Sequence, residues 1–121
     1  MKQPNPEVTP ADVERVVRRD FGDERAAEVL ALLEMYGPER WHRVPDRVRL
    51  ACLKLARGDF EKLRSQVEAA QYDYRDVIGA AEYPGYMKRM FRIEKLPEAE
   101  QQRIIDEDWR QYEEWLRGSG T

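Results

Sequence analysis

Apolar residues recur along this chain with the period of an α-helix. Phe60, Leu63, Val67, Ala70, Tyr74, Val77 and Ala81 are spaced alternately three and four apart, which puts all seven on one helical stripe. That rhythm belongs to helix-on-helix packing and predicts a central helix with helical partners. Ahead of it, Val48, Leu50, Ala51, Cys52, Leu53, Leu55 and Ala56 follow Pro45 and spread over more than one face, which predicts the most buried helix. Between the two, Gly58 is placed as a left-handed helix stop and Asp59 as an N-cap. A junction that short folds the two helices back as an αα-hairpin.

The flanks carry the same period. Thr9 and Pro10 predict the cap and first position of a helix whose apolar side is Val13, Val16 and Val17, with Asp12 near its positive dipole end. It ends at Phe21-Gly22. Asp23 opens a second helix with Ala26, Val29, Leu30, Leu33 and Tyr36 inward, stopped by Gly37-Pro38. The central helix stops at Tyr83-Pro84-Gly85, a short piece runs from Tyr86 to Phe91, and a last helix carries Ile105, Trp109, Tyr112 and Leu116. No alternation or Asn-Gly turn signals a strand. The expected fold is all-α, a single compact bundle of five to six mostly antiparallel helices. Residues 1–8 read as a disordered tail, 9–117 as one helical domain and 118–121 as a flexible tail.

Composition agrees. Among 121 residues, 41% are hydrophobic and 37% charged, which suits a charge-laced globular helical protein. No apolar run approaches the roughly 20 residues of a membrane span. The polar, proline-broken start is no signal peptide, and the single cysteine, Cys52, has no partner for an internal disulfide. A cytoplasmic protein without membrane contact is expected.

Candidate chemistry is sparse. One histidine, His42, stands three residues after Glu39, the spacing of carboxylate-bridged di-iron helices, but those sites need a second such pair and two further glutamates. Cys52 lies among apolar neighbours, where a thiol is a small hydrophobe with a raised pKa. The glycines form no phosphate-binding loop. Asp73 with Asp76, and Asp106, Glu107 and Asp108 beside Trp109, are pairs that could do acid–base work, but they read as solvated helix faces with Arg75 and Arg110 as ion-pair partners. No metal or cofactor is expected.

Charge is segregated although the whole chain carries only −3. Residues 38–57 balance at +4 through Arg40, Arg43, Arg47, Arg49, Lys54 and Arg57; residues 93–117 balance at −4. A basic stretch followed by a helix allows nucleic-acid binding through Arg40, Arg43, Arg47 and Arg49. Against that, the following helix is too long for a helix-turn-helix and carries acids where phosphates would approach. Basic and acidic segments that face each other, within the chain or across a dimer, are the better expectation.

Aromatic residues carry the remaining signal. Three tryptophans and six tyrosines are many for this length. Tyr72 lies off the central stripe, Tyr83, Tyr86 and Met87 cluster at the Pro84-Gly85 break, and Trp41 sits between Arg40 and Arg43. Such residues anchor protein interfaces, or else fold back to cap the bundle ends. Leu50 to Asp59, with Asp73-Tyr74-Arg75-Asp76-Val77 and Ala81-Glu82-Tyr83-Pro84, resembles a group of small helical bacterial proteins without assigned function, over roughly residues 45–85. The resemblance implies a helical fold and transfers no activity. The expected function is a non-catalytic protein-interaction or regulatory module, with a protein partner or a second copy. Its contact residues would come from Arg40, Trp41, Arg43, Tyr72, Tyr83, Tyr86 and Met87. Nucleic-acid binding is the alternative, and a small enzyme using carboxylates and tyrosine the third reading.

Overall fold

The computed structural model describes residues 5–39, 44–89 and 92–118. Within them six α-helices form a bundle and no strand occurs, so the all-α expectation holds. The helices are α1 (Pro10–Phe21), α2 (Ala26–Leu33), α3 (Pro45–Ala56), α4 (Phe60–Glu82), α5 (Pro84–Lys88) and α6 (Glu98–Arg117).

The α3–α4 hairpin is the spine. Six α3 side chains are buried, from Val48 to Ala56, as its all-round apolar pattern predicts. Asp59 caps α4 by accepting from the Lys62 N–H at 3.0 Å. The left-handed stop begins one residue early, with Arg57 (φ 51°) and Gly58 (φ 79°) both in that region. On one flank α1 and α2 pack on each other and on the hairpin; on the other, α5 and α6 pair and rest on α4. Thr9 and Asp12 form a reciprocal capping box at the start of α1.

Three departures from the periodic pattern matter. The second helix is shorter than expected: a 3₁₀ turn covers Asp23–Arg25, and α2 ends at Leu33 although Tyr36 beyond it is buried. The reason is a side chain. Arg49 donates its Nε–H to the carbonyls of Leu33 and Tyr36 at 3.1 and 3.0 Å, satisfying groups that another helical turn would otherwise have used. Next, α4 is broken at Asp73, whose backbone is extended (φ −153°, ψ 98°). The Asp73 carboxylate accepts from the Arg75 N–H at 3.0 Å and so restarts the helix in the manner of an N-cap, with Tyr72 left 95% exposed. The predicted stripe survives at Leu63, Val67, Ala70, Val77 and Ala81, while Phe60 and Tyr74 are half-buried. Beyond the break, Ile78 and Glu82 join the buried face.

The last departure corrects the reading of Asp108 as part of a solvated acidic cluster. Asp108 is buried, and its two carboxylate oxygens accept from the N–H groups of Gly85 and Tyr86, each at 2.9 Å. An α6 side chain thus caps α5, whose first position is Pro84. A Cβ on Gly85 would lie 2.7 Å from Asp108 Oδ1, so only glycine lets the carboxylate come this close. Asp106 and Glu107 remain exposed, as predicted. Residues 5–8, assigned to the tail, run along the bundle with Pro6 and Val8 half-buried.

Replacing Asp108 with alanine leaves two inward-facing amides without an acceptor and is expected to lower unfolding stability by about 2–3 kcal/mol, read from a urea denaturation midpoint.

Candidate functional site

The break in α4 and the cap on α5 together shape a groove of about 420 Å³. Its floor is apolar: Ile78 and Gly79 from α4, and Met87 from α5. Gly79 is small for a reason, since a Cβ there would stand 3.2 Å from Met87 Sδ. Tyr74, Tyr83 and Tyr86 supply the aromatic lining, Arg47 and Arg75 the positive charge, and Asn5 lies at one edge.

Beneath the groove lies a buried ion pair. Arg47, in the first turn of α3, donates from Nε and Nη2 to the two carboxylate oxygens of Glu82, both at 2.7 Å. Glu82 is 2% exposed. The pair is bidentate, the geometry in which a guanidinium best replaces lost hydration. Those hydrogen bonds raise the Arg47 pKa above its ordinary value, so the guanidinium stays charged. Tyr83 is buried beside it. Burial, and then the Glu82 charge, push its phenol up to about 12. Tyr112 of α6 is likewise shifted upward by burial, and its hydroxyl has no hydrogen-bond partner among the described residues.

The groove rim is different. Arg75 donates from Nε to Asp73 at 3.1 Å, and its side chain is 78% exposed. That contact, with the backbone N–H bond, holds the Asp73 carboxyl below its ordinary pKa. The Nη groups of Arg75 and the hydroxyls of half-buried Tyr74 and Tyr86 form no hydrogen bond to a described residue. Three donor groups with no acceptor among the described residues therefore line one depression with Ile78, Gly79 and Met87.

The expected contact residues separate accordingly. Tyr83, Tyr86 and Met87 do come together, with Tyr83 set back at 6% exposure. Tyr72 stands outside the groove, and Arg40, Trp41 and Arg43 lie outside the described residues. Tyr74, Arg75, Ile78 and Gly79 were not anticipated. The available signal was the Tyr74 hydroxyl, which needed either a partner or an opening to solvent in the middle of an apolar stripe.

Other chemistry finds less support. Arg47 and Arg49, two of the four arginines of the nucleic-acid reading, are committed to Glu82 and to backbone carbonyls. A cleft of about 500 Å³ gathers Arg19, Lys54 and Arg57. Lys54 and Arg57 sit at the carbonyl end of α3, and Arg19 donates to the Trp115 carbonyl of α6 at 2.7 Å, so these cations answer helix C-termini. Cys52 is fully buried, and burial pushes its thiol up to about 12, away from thiolate reactivity. Among the described residues no three His, Cys, Asp or Glu side chains gather where they could hold a metal ion, and no helix is long and apolar enough to cross a membrane. In comparison with known proteins, no family model matches the chain, and no curated protein or solved structure matches it significantly.

Two outcomes test the polar base of the groove. Glu82→Ala strands the Arg47 charge and is expected to cost about 3 kcal/mol, whereas the double change Arg47→Met with Glu82→Leu restores most of that loss in a denaturation series. Phenol ionisation gives the second. The folded state holds Tyr83 neutral up to about 12, while an unfolded phenol begins to ionise near the ordinary value of 10.0. Stability is therefore complete below pH 10 and falls as pH rises towards 12, in step with delayed phenolate absorbance.

Proposed function

We propose that the protein is a non-catalytic interaction module whose contact surface is the tyrosine-lined groove between α4 and α5. The carrying observation is the combination just described: the Tyr74 and Tyr86 hydroxyls and the Arg75 Nη groups, which have no acceptor among the described residues, above the apolar surface of Ile78 and Met87. Aromatic, methionine and arginine side chains in a preformed depression are the composition of interface hot spots. Two buried carboxylates beside the groove also speak for binding over acid–base catalysis. Glu82 is held by Arg47 and Asp108 by the α5 backbone, so neither is available to exchange a proton with a substrate. A cytoplasmic setting is part of the same reading.

Affinity capture from a native lysate tests it. The full chain is expected to retain a discrete protein that survives nuclease treatment. Tyr86→Ala and Met87→Glu are expected to lose it, by about tenfold or more in recovered partner, at unchanged helical circular dichroism. Equal recovery with both variants, or recovery abolished by nuclease, removes the proposal. Tyr83→Ala is unsuitable as a surface probe because Tyr83 is buried.

A further inference from the structure

We infer that the groove takes a short acidic peptide segment with one apolar anchor side chain, an inference that rests on the interaction-module reading and names the class of partner. The argument begins with where the charges of this region end up. Two of its acids point inward: Glu82 and Asp108 are 2% and 5% exposed, and both spend their oxygens on internal donors, while Asp76 is exposed and half-buried Asp73 pairs with Arg75. Its bases point outward: Arg75, Lys88, Arg89 and Arg92 are exposed. Between residues 73 and 92 the exposed bases among the described residues therefore outnumber the acids left at the surface, four against two.

The groove lining carries that asymmetry further, for it includes two guanidiniums and no carboxylate. Glu82 engages the Nε and Nη2 of the mostly buried Arg47, so among the described lining residues Arg75 is the more exposed cation, with Asp73 and Asp76 as the acids nearest to it in the chain. Asp73 engages only its Nε edge, and its Nη edge remains open. In the same lining the Tyr74 and Tyr86 hydroxyls are further donors with no acceptor among the described residues. A ligand that matches these groups must bring acceptors, and a carboxylate brings them with charge assistance. The floor of Ile78, Gly79 and Met87 requires something apolar as well. At about 420 Å³ the depression holds one or two side chains, the scale of a peptide anchor.

A nucleic-acid strand would satisfy the tyrosines and the arginine by stacking and phosphate contact. The surroundings disfavour it. The α5 cap ties the groove's helix to α6, which carries exposed Asp106 and Glu107, acids that repel a long polyanion on this side of the molecule. A short acidic segment need not reach them.

Selection from a random twelve-residue peptide display library, run in parallel on the native chain and on Arg75→Glu, tests the inference. The native protein is expected to enrich peptides with two or more Asp or Glu flanking a Leu, Ile, Met or Phe. Synthetic copies should bind about tenfold or more weaker to Arg75→Glu and to Tyr74→Phe combined with Tyr86→Phe, and weaken as salt rises. Arg75→Glu should instead enrich Lys- and Arg-bearing peptides. If neutral or basic peptides win on the native protein and lose affinity in the Tyr74 and Tyr86 variant, the acidic class is wrong and the groove stands. If the selected peptides are indifferent to every groove variant, or none is enriched, both readings fall. Two other results also overturn the inference: tighter binding of a fluorescent oligothymidylate than of any selected peptide, or a native dimer in ultracentrifugation that Tyr86→Ala makes monomeric.

Discussion

The Arg47–Glu82 ion pair closes the open end of the α3–α4 hairpin. At the other end the chain itself does the work, because Gly58 and Asp59 leave no room for the helices to separate. Where α3 begins and α4 ends, no covalent link exists, and a bidentate pair with two 2.7 Å contacts takes its place. Such a pair is a weak source of net stability, since desolvating two charges offsets most of their attraction. What it supplies is register. A carboxylate with 2% exposure tolerates no sliding of α4 along α3, and the tyrosines around it inherit that placement.

Asp108 extends the same logic to the second flank. Pro84 cannot donate a backbone hydrogen bond, so the amides that need an acceptor at the start of α5 are those of Gly85 and Tyr86. The acceptor comes from α6 rather than from a neighbouring Ser or Asp in the chain. A five-residue helix has little stability of its own, and its orientation is set by this tertiary cap and by Met87 lying on Gly79. Both acids that organise this end of the molecule thus act as internal acceptors and are withdrawn from the local surface.

Much of the architecture was legible because it is local. The Thr9 and Asp12 capping box, the Asp59 cap and the stripe from Leu63 to Ala81 all connect residues within one or two turns, the range over which sequence spacing reports contact. Glu82 and Asp108 were not legible for the converse reason. Their partners lie 35 and 22–23 residues away, and a helical acid carries no local sign of so distant a donor. The groove was half legible. Tyr83, Tyr86 and Met87 announce themselves at a Pro-Gly break, but the flank that completes it, Arg75, Ile78 and Gly79, mixes a cation, an aliphatic and a glycine. No hydrophobicity count picks out such a row, although its spacing of three and one places it on one helical side.

The break at Asp73 runs against the regularity that made α4 easy to recognise. No proline or glycine lies there, and the apolar stripe continues through it without a change of period. The cause is a competition within one residue, for an aspartate side chain can serve the backbone amide two residues on in place of the helical carbonyl four residues back. Asp73 Oδ1 takes that role, and the same oxygen also receives the Nε of Arg75. One atom therefore ends the first segment of α4, starts the second and turns a guanidinium edge outward. Tyr74, between the two, stays half-exposed while keeping its place in the stripe. The exposed cation and a phenol of the groove are thus consequences of the helix break, and the groove's chemistry depends on a carboxylate that does not line it.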